Sequence, residues 1–300
     1  MARRAPDANE RGILSETERN GTRGRTSLTV VRWLVLLVLL VTGLGPLLWL
    51  AKAAVTPIQD TLGDPLAVFP SGQIQWDNIA RAWSEARIGL FLGNSAAIAA
   101  GTVVLTLLVS LSAAYVLSVL RPRWAPLLSG AILATVLIPG VISLVPLYLT
   151  VLDVPLLGLN LLNSYWAIWL PTSANAVAVL VVKRFFDAIP RDLFDAARID
   201  GAGAVRVFFS IVLPLSRPVI GVVALLTAVA SWKDFLWPLI VISDASKQPV
   251  SVALARLADS TSLDVQLAAM LLALLVPVGL FLAFQGPFFR GVGASGGIKQ

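Results

Sequence analysis

Few residues in this chain could do chemistry, because it contains no histidine and no cysteine. That excludes imidazole acid–base catalysis, thiolate nucleophiles and Cys/His zinc sites. What remains is a handful of ionisable side chains in apolar surroundings, and the most conspicuous group is Trp232-Lys233-Asp234, followed by Trp237. Consecutive helical residues point about 100° apart, so Lys233 and Asp234 do not simply neutralise each other along one face. A carboxylate suits the hydroxyls of a sugar-like solute, and an indole face suits its apolar C–H patches. Tryptophans near the end of an apolar run also serve as interfacial anchors, and both roles stay open for Trp232 and Trp237, while Trp166 and Trp169 fit the anchor role better. Gly291 to Gly296 spell G-x-G-x-x-G, yet no strand precedes them and only four residues follow, which rules out a dinucleotide site. No GxxxxGK[ST] loop occurs, so nucleotide hydrolysis has no site in this chain.

These residues must be positioned by elements of unusual composition. Of the 300 residues 57% are hydrophobic and 13% charged, against about 25% charged in soluble domains, and mean hydropathy is +0.83. The apolar residues gather into six runs, Trp33–Ala51, about Leu90–Leu120, Ala125–Val151, Leu161–Val182, Val219–Ile242 and Val265–Phe284. Each is long enough to cross about 30 Å of hydrocarbon as a helix, and no alternating barrel pattern appears. The expected fold is all-α and integral to the membrane, with six transmembrane helices.

Orientation follows from the basic residues, because short loops rich in Lys and Arg stay cytoplasmic. Seventeen of the 23 fall in the N-terminal tail, the turn at Arg121 and Arg123, the stretch from Lys183 to Arg217 and the C-terminal tail, which places both termini in the cytoplasm. The net charge of +6 is thereby read as topology and contact with anionic lipid, not as a nucleic-acid surface. The expected organisation is a polar tail over 1–30 composed like a disordered segment, a transmembrane domain over 31–290, and a short tail over 291–300. Between the first two spans, Trp76 to Arg87 reads as an amphipathic piece, either a docking surface or a cap on the bundle.

The most informative segment is cytoplasmic, residues 183–218, KRFFDAIPRDLFDAARIDGAGAVRVFFSIVLPLSRP. Pro190 suits a first helical turn, with Asp192 and Asp195 near the positive end of the dipole. The helix would carry Leu193, Phe194, Ala196, Ala197 and Ile199 and stop at Gly201, a residue suited to a left-handed cap. A second amphipathic run, Val205, Phe208, Phe209, Val212, leads to Leu213-Pro214, so a helix-turn-helix is predicted between the fourth and fifth spans.

Here the sequence resembles the permease subunits of binding-protein-dependent ABC importers. Their EAA loop is matched by Asp195-Ala196-Ala197, Asp200-Gly201-Ala202 and Ile211 before Leu213-Pro214, with Asp195 standing where the family usually has Glu. Asn94-Ser95, Phe185-Phe186, Ile189-Pro190, the run Asp234 to Leu239 and the tail from Phe288 to Lys299 resemble the carbohydrate, maltose-type subgroup. The resemblance implies a type I importer fold and alternating access. It implies a coupling helix seated on an ATPase, with Leu193 and Phe194 as anchors, Ala196 and Ala197 admitting close approach, Asp195 as a polar contact, and Asp200, Gly201, Leu213 and Pro214 completing the loop. It also implies partners: a homologous second permease, a dimeric ATPase that holds ATP and magnesium, an extracytoplasmic sugar-binding protein, and the lipid of a prokaryotic cell membrane. No cofactor or catalytic residue is expected in this chain. A glycerol-phosphate-type solute is the alternative cargo. An ion-driven carrier would need inverted repeats and mid-span acids, and an intramembrane enzyme a convergent nucleophile set, and neither is evident.

Overall fold

Proline positions and the lengths of the apolar runs decide where the helices of this chain begin, bend and stop. The structure, a computed structural model, describes residues 22–294 except 66, 68 and 71. The N-terminal tail before Thr22 and the C-terminal stretch Ser295–Gln300 lie outside the described residues. The first helices are α1 (Thr22–Ala53), α2 (Ile58–Gly63), α3 (Asp77–Ser84) and α4 (Ile88–Tyr115), the last continued by a π-helical turn over Val116–Leu120. Then come α5 (Ala125–Val136), a 3-10 turn over Gly140–Ser143, α6 (Leu144–Leu152), α7 (Trp166–Ser173) and α8 (Ala176–Asp187). α9 (Arg191–Ile199) and α10 (Ala204–Val207) follow, joined through a π-helical turn over Phe208–Val212 to α11 (Leu213–Leu215). The remaining helices are α12 (Arg217–Lys233), α13 (Leu236–Val241), α14 (Val250–Leu257) and α15 (Leu263–Ala294). Among the described residues no strand forms, and a single isolated bridge joins Val154 to Leu159.

Three helical stretches, Leu28–Ala53, Ile88–Leu120 and Leu263–Ala283, are long and apolar enough to cross a membrane. Three bent pairs pass the same test together: Ala125–Val136 with Gly140–Leu152 at 99°, Trp166–Ser173 with Ala176–Asp187 at 44°, and Ala204–Leu215 with Arg217–Lys233 at 75°. Three of the expected runs are interrupted: Ala125–Val151 breaks between α5 and α6, and Leu161–Val182 between α7 and α8. The third, Val219–Ile242, is not one helix: α12 ends at Lys233 and α13 is a separate short helix.

The breaks have identifiable causes. Pro238 has no N–H to give the carbonyl four residues back, and its ring crowds that carbonyl, which belongs to Asp234. The chain is extended at Asp234, with ψ of 122°, and the freed carbonyl accepts the Ser251 hydroxyl at 2.7 Å. Pro171 does the same to Ala167, whose carbonyl instead accepts the Trp237 indole N–H at 3.0 Å. Helix α8 then restarts with the Asn175 side chain accepting from the Ala178 amide. At the 99° bend, Pro139 biases the preceding Ile138 away from helical geometry.

Buried residues form layers along the bundle. One cluster joins Leu111, Tyr115, Val182, Phe186, Val212 and Val219. A second joins Ile88, Trp232, Val250, Val265 and Ala269, and a third Ile98, Val151, Ile168, Trp237 and Ile242. The amphipathic piece at Trp76–Arg87 contains α3, and it caps the bundle: Arg81 pairs with Asp264 at the start of α15 at 3.2 Å and also donates to the Ser262 hydroxyl. Asn94 and Ser95 stitch α4 to the segment before α14. The Asn94 amide donates to the carbonyls of Ser246 and Gln248, its oxygen accepts from the Tyr165 hydroxyl, and the Ser95 hydroxyl accepts from the Val250 amide.

Candidate functional site

Two regions collect the residues singled out from the sequence. The first is the segment between α8 and α12. Helix α9 starts directly after Pro190, which precedes the helix instead of lying inside its first turn, with Asp192 near the N-terminus and Arg198 near the C-terminus as the dipole favours. It ends in a complete Schellman motif. The Ala202 amide donates to Ala197 at 2.9 Å, the Gly201 amide donates to Arg198 at 3.0 Å, and Gly201 has φ of +70°. Open space surrounds the Gly201 Cα, so what requires glycine there is backbone conformation and not crowding.

The faces of α9 sort its residues. Leu193, Asp195, Ala196, Ile199 and Asp200 are exposed, Ile199 at 87%. Phe194, at 4%, and Ala197 turn inward to the layer formed with Tyr115, Phe186 and Val207. The Arg191 guanidinium lies 5.7 Å from the Phe194 ring centre. Phe194 therefore packs α9 against its own bundle. Asp195 pairs with Arg198 on its own helix at 2.8 Å.

The second half of the segment also differs in register. Pro214 cannot supply an N–H to Ser210, and the turn before it widens into a π turn. The extra residue moves the inward face to Val207 and Val212, flanked by Phe208 and Ile211, and leaves Val205 and Phe209 exposed. Leu213 is half-buried and Pro214 exposed. Tyr115 fixes this half to α4: its hydroxyl donates to the Ala204 carbonyl at 2.8 Å and its ring lies 4.9 Å from that of Phe208. Ile199, Val205 and Phe209 were read from the sequence as apolar positions of the two amphipathic runs, and the structure leaves all three exposed. The π turn after α10 has no periodicity signal that would have marked Phe209 as outward.

The second region is a cavity of about 540 Å³ at the breaks α7/α8 and α12/α13, facing the middle of α4. Lys233 and Asp234 line it, with Thr102, Thr172, Asn175 and Ser231. Among the described residues Lys233 has no ion-pair partner, whereas the Asp234 carboxylate accepts a hydrogen bond from the Trp237 amide. The Thr102 hydroxyl is buried with no hydrogen-bond partner among the described residues. Trp232 and Trp237 do not line this cavity. They are 7% and 6% exposed and sit in two separate packing layers. Trp169 is held by its indole N–H on the Ile98 carbonyl, and Trp166 is exposed beside it. The hydroxyl lining went unnoticed in the sequence because threonines spaced over three helices share no local pattern.

Residues 106–291, more than half of the chain, match the family described as binding-protein-dependent transport system inner membrane component. This chain belongs to that family. Relatives agree with it. The permease is 33% identical over 238 residues, 76% of this chain and 83% of the relative, to the sn-glycerol-3-phosphate transport system permease protein UgpE of Yersinia enterocolitica. It is 32% identical over 260 residues, 85% of this chain and 90% of the relative, to the arabinooligosaccharides transport system permease protein AraQ of Halalkalibacterium halodurans. Its fold matches a chain in the crystal structure of a bacterial ABC transporter involved in the import of the acidic polysaccharide alginate. That match has a TM-score of 0.76 and 18% identity, over 93% of this chain and 99% of that one. The resemblance drawn from the EAA loop is thus a family membership, and the family's members are transport subunits of the inner membrane. No group of three or more Asp or Glu side chains that could hold a metal occurs among the described residues.

Proposed function

We propose that this permease forms one half of the translocation path of an ATP-driven importer for a carbohydrate and that α9 is its coupling element. The observation that carries the reading is α9 itself. It is a two-turn helix pinned inward by Phe194 and Ala197, closed by a glycine cap, and presenting Leu193, Asp195, Ala196, Ile199 and Asp200 outward on the most basic loop of the chain. Small alanine side chains allow close backbone approach, and the exposed Leu193 and Ile199 offer apolar contact area to a partner. In this reading the three bent pairs and three long helices are six spans, both termini are cytoplasmic, and the ATPase dimer holds ATP and magnesium. A second permease completes the path, and a binding protein delivers the solute outside.

Alternating access then follows from a rigid connection. ATP-driven closure of the ATPase pushes α9, which moves with α8, α12 and the lower part of α4 because all four share one buried layer. Motion reaches the cavity at Lys233, Asp234 and Thr102 through α12, whose last turn lines it. Hydroxyl and amide groups from Thr102, Thr172, Asn175 and Ser231 suit a polyhydroxylated solute, and helix interruptions at membrane depth are where transporters place their solutes. The relatives named for arabinooligosaccharides and for sn-glycerol-3-phosphate support both the sugar reading and the glycerol-phosphate alternative. The chain performs no hydrolysis itself.

The absence of native cysteine makes the test clean. With Ala196→Cys and a single cysteine in the ATPase cleft, the importer expressed from its own operon should crosslink in membranes, and ATP should change the yield. Absence of any crosslink at Ala196, Leu193 and Ile199 alike would remove the coupling role from α9.

A further inference from the structure

A second cavity, of about 470 Å³, opens where the π turn after α4 meets the start of α5 and the end of α8, outside the solute path and off α9. Three cations line it, Arg121, Arg123 and Lys183, against one carboxylate, Asp187. That carboxylate is already fully engaged. One oxygen accepts from Lys183 at 2.8 Å, and the other from the Ser118 hydroxyl at 2.6 Å and from Arg121 at 3.3 Å. Arg123 has no ion-pair partner among the described residues, so the cavity keeps an uncompensated positive charge. Arg121 also holds a left-handed backbone, φ +47°, a conformation that glycine or asparagine adopts more easily. The Arg121 side chain bonds both the Ser118 carbonyl and Asp187 and so shapes the wall.

The rim is apolar. Leu120, Trp124, Leu127 and Leu128, chain neighbours of the lining residues, are all exposed, and the Ser129 hydroxyl lies buried in the lining without a hydrogen-bond partner among the described residues. Cations at a helix end, an exposed indole and lipid-facing leucines are the chemistry of a membrane surface, where a phosphate sits beside acyl chains. We propose that this cavity binds the phosphate of an anionic headgroup at the cytoplasmic end of α4, α5 and α8. Arg123 supplies the free charge, and Lys183 and Arg121 supply the second and third contacts. Arg191, which opens α9, donates to the same Ser118 carbonyl as Arg121, so an occupied site braces the joint from which α9 projects. The site rests on the proposed cytoplasmic orientation but not on the coupling role of α9.

The test uses the full chain in neutral detergent, read by native mass spectrometry after incubation with phosphatidylglycerol, with phosphatidylcholine, or with inorganic phosphate at millimolar concentration. Phosphatidylglycerol should be retained over phosphatidylcholine, and Arg123→Gln, which breaks no contact within the chain, should weaken retention about fivefold. Arg256→Gln on α14 should leave retention unchanged. Release of the lipid by inorganic phosphate, or phosphate retained alone and lost in Arg123→Gln, would assign the same site to a soluble phosphate. Equal retention of both lipids, or loss of selectivity in Arg256→Gln but not in Arg123→Gln, would overturn the site. Because α9 crosslinking is read at other residues, either result leaves the coupling reading separately decided.

Discussion

Gly201 carries a backbone conformation that side chains resist, in open space, and the two facts separate its structural cost from its functional one. Gly201→Ala is expected to destabilise by only about 1 kcal/mol, because nothing clashes and only the left-handed backbone is strained. Gly201→Asn should lie closer to the wild type. A thermal-shift series on the purified permease checks the order. Gly101 is the opposite case. A Cβ there would enter the Trp169 indole, so Gly101→Ala should cost about 1–3 kcal/mol by overpacking and displace Trp169 from the Ile98 carbonyl. In the loop after α13, the Ser246 hydroxyl and amide, helped by Lys247, hold the Asp244 carboxyl below its ordinary range. A depressed carboxylate pKa stabilises the folded loop above the ordinary value and loses that contribution as pH falls through the lowered one. Protection of the Ser246 amide from hydrogen exchange should therefore be full near neutrality and fade only at strongly acidic pH, and Asp244→Asn should remove that dependence.

At the scale of elements, the account turns on two prolines that each free a carbonyl for a side chain of another element. Trp237→Phe leaves the Ala167 carbonyl buried without its donor, with an expected loss of about 1–3 kcal/mol. Ser251→Ala does the same to Asp234 and should additionally alter uptake, because Asp234 lines the cavity. If Ser251→Ala changed stability and left solute uptake at wild-type rates, the break at Asp234 would be scaffolding alone. These elements also show what a sequence can and cannot reveal. The length of each apolar run, the glycine cap and the Asp-Ala-Ala spacing are local signals, and they located α9 and its stop at Gly201. The π turn before Pro214 and the break before Pro238 depend on where freed carbonyls find partners, which is tertiary information. For that reason the inward register of residues 204–215 and the end of the fifth run were misread. Phe194, Trp232 and Trp237 are buried in three different layers, a placement that residue type alone does not reveal.

For the whole molecule, one buried layer ties α9 to α4, α8 and α12, and in the proposed mechanism a displacement of α9 is carried through that layer to the cavity. Family membership was legible from the EAA spacing and is carried by residues 106–291, while the solute is not written in any local motif. In the proposed path the solute meets the hydroxyl-lined cavity with Lys233, and Lys233→Gln should weaken uptake of a phosphorylated or acidic solute far more than that of a neutral sugar. The central claim is that α9 transmits the ATPase stroke. The direct measurement is binding-protein-stimulated ATPase activity of the complete importer in proteoliposomes, with wild type and Gly201→Asp compared across a panel of sugars and sugar phosphates. The account predicts that one solute stimulates the wild type. Gly201→Asp should assemble and bind ATP but respond to that solute weakly or not at all. Normal stimulation and transport in the variant, or a permease that assembles with no ATPase, would contradict it.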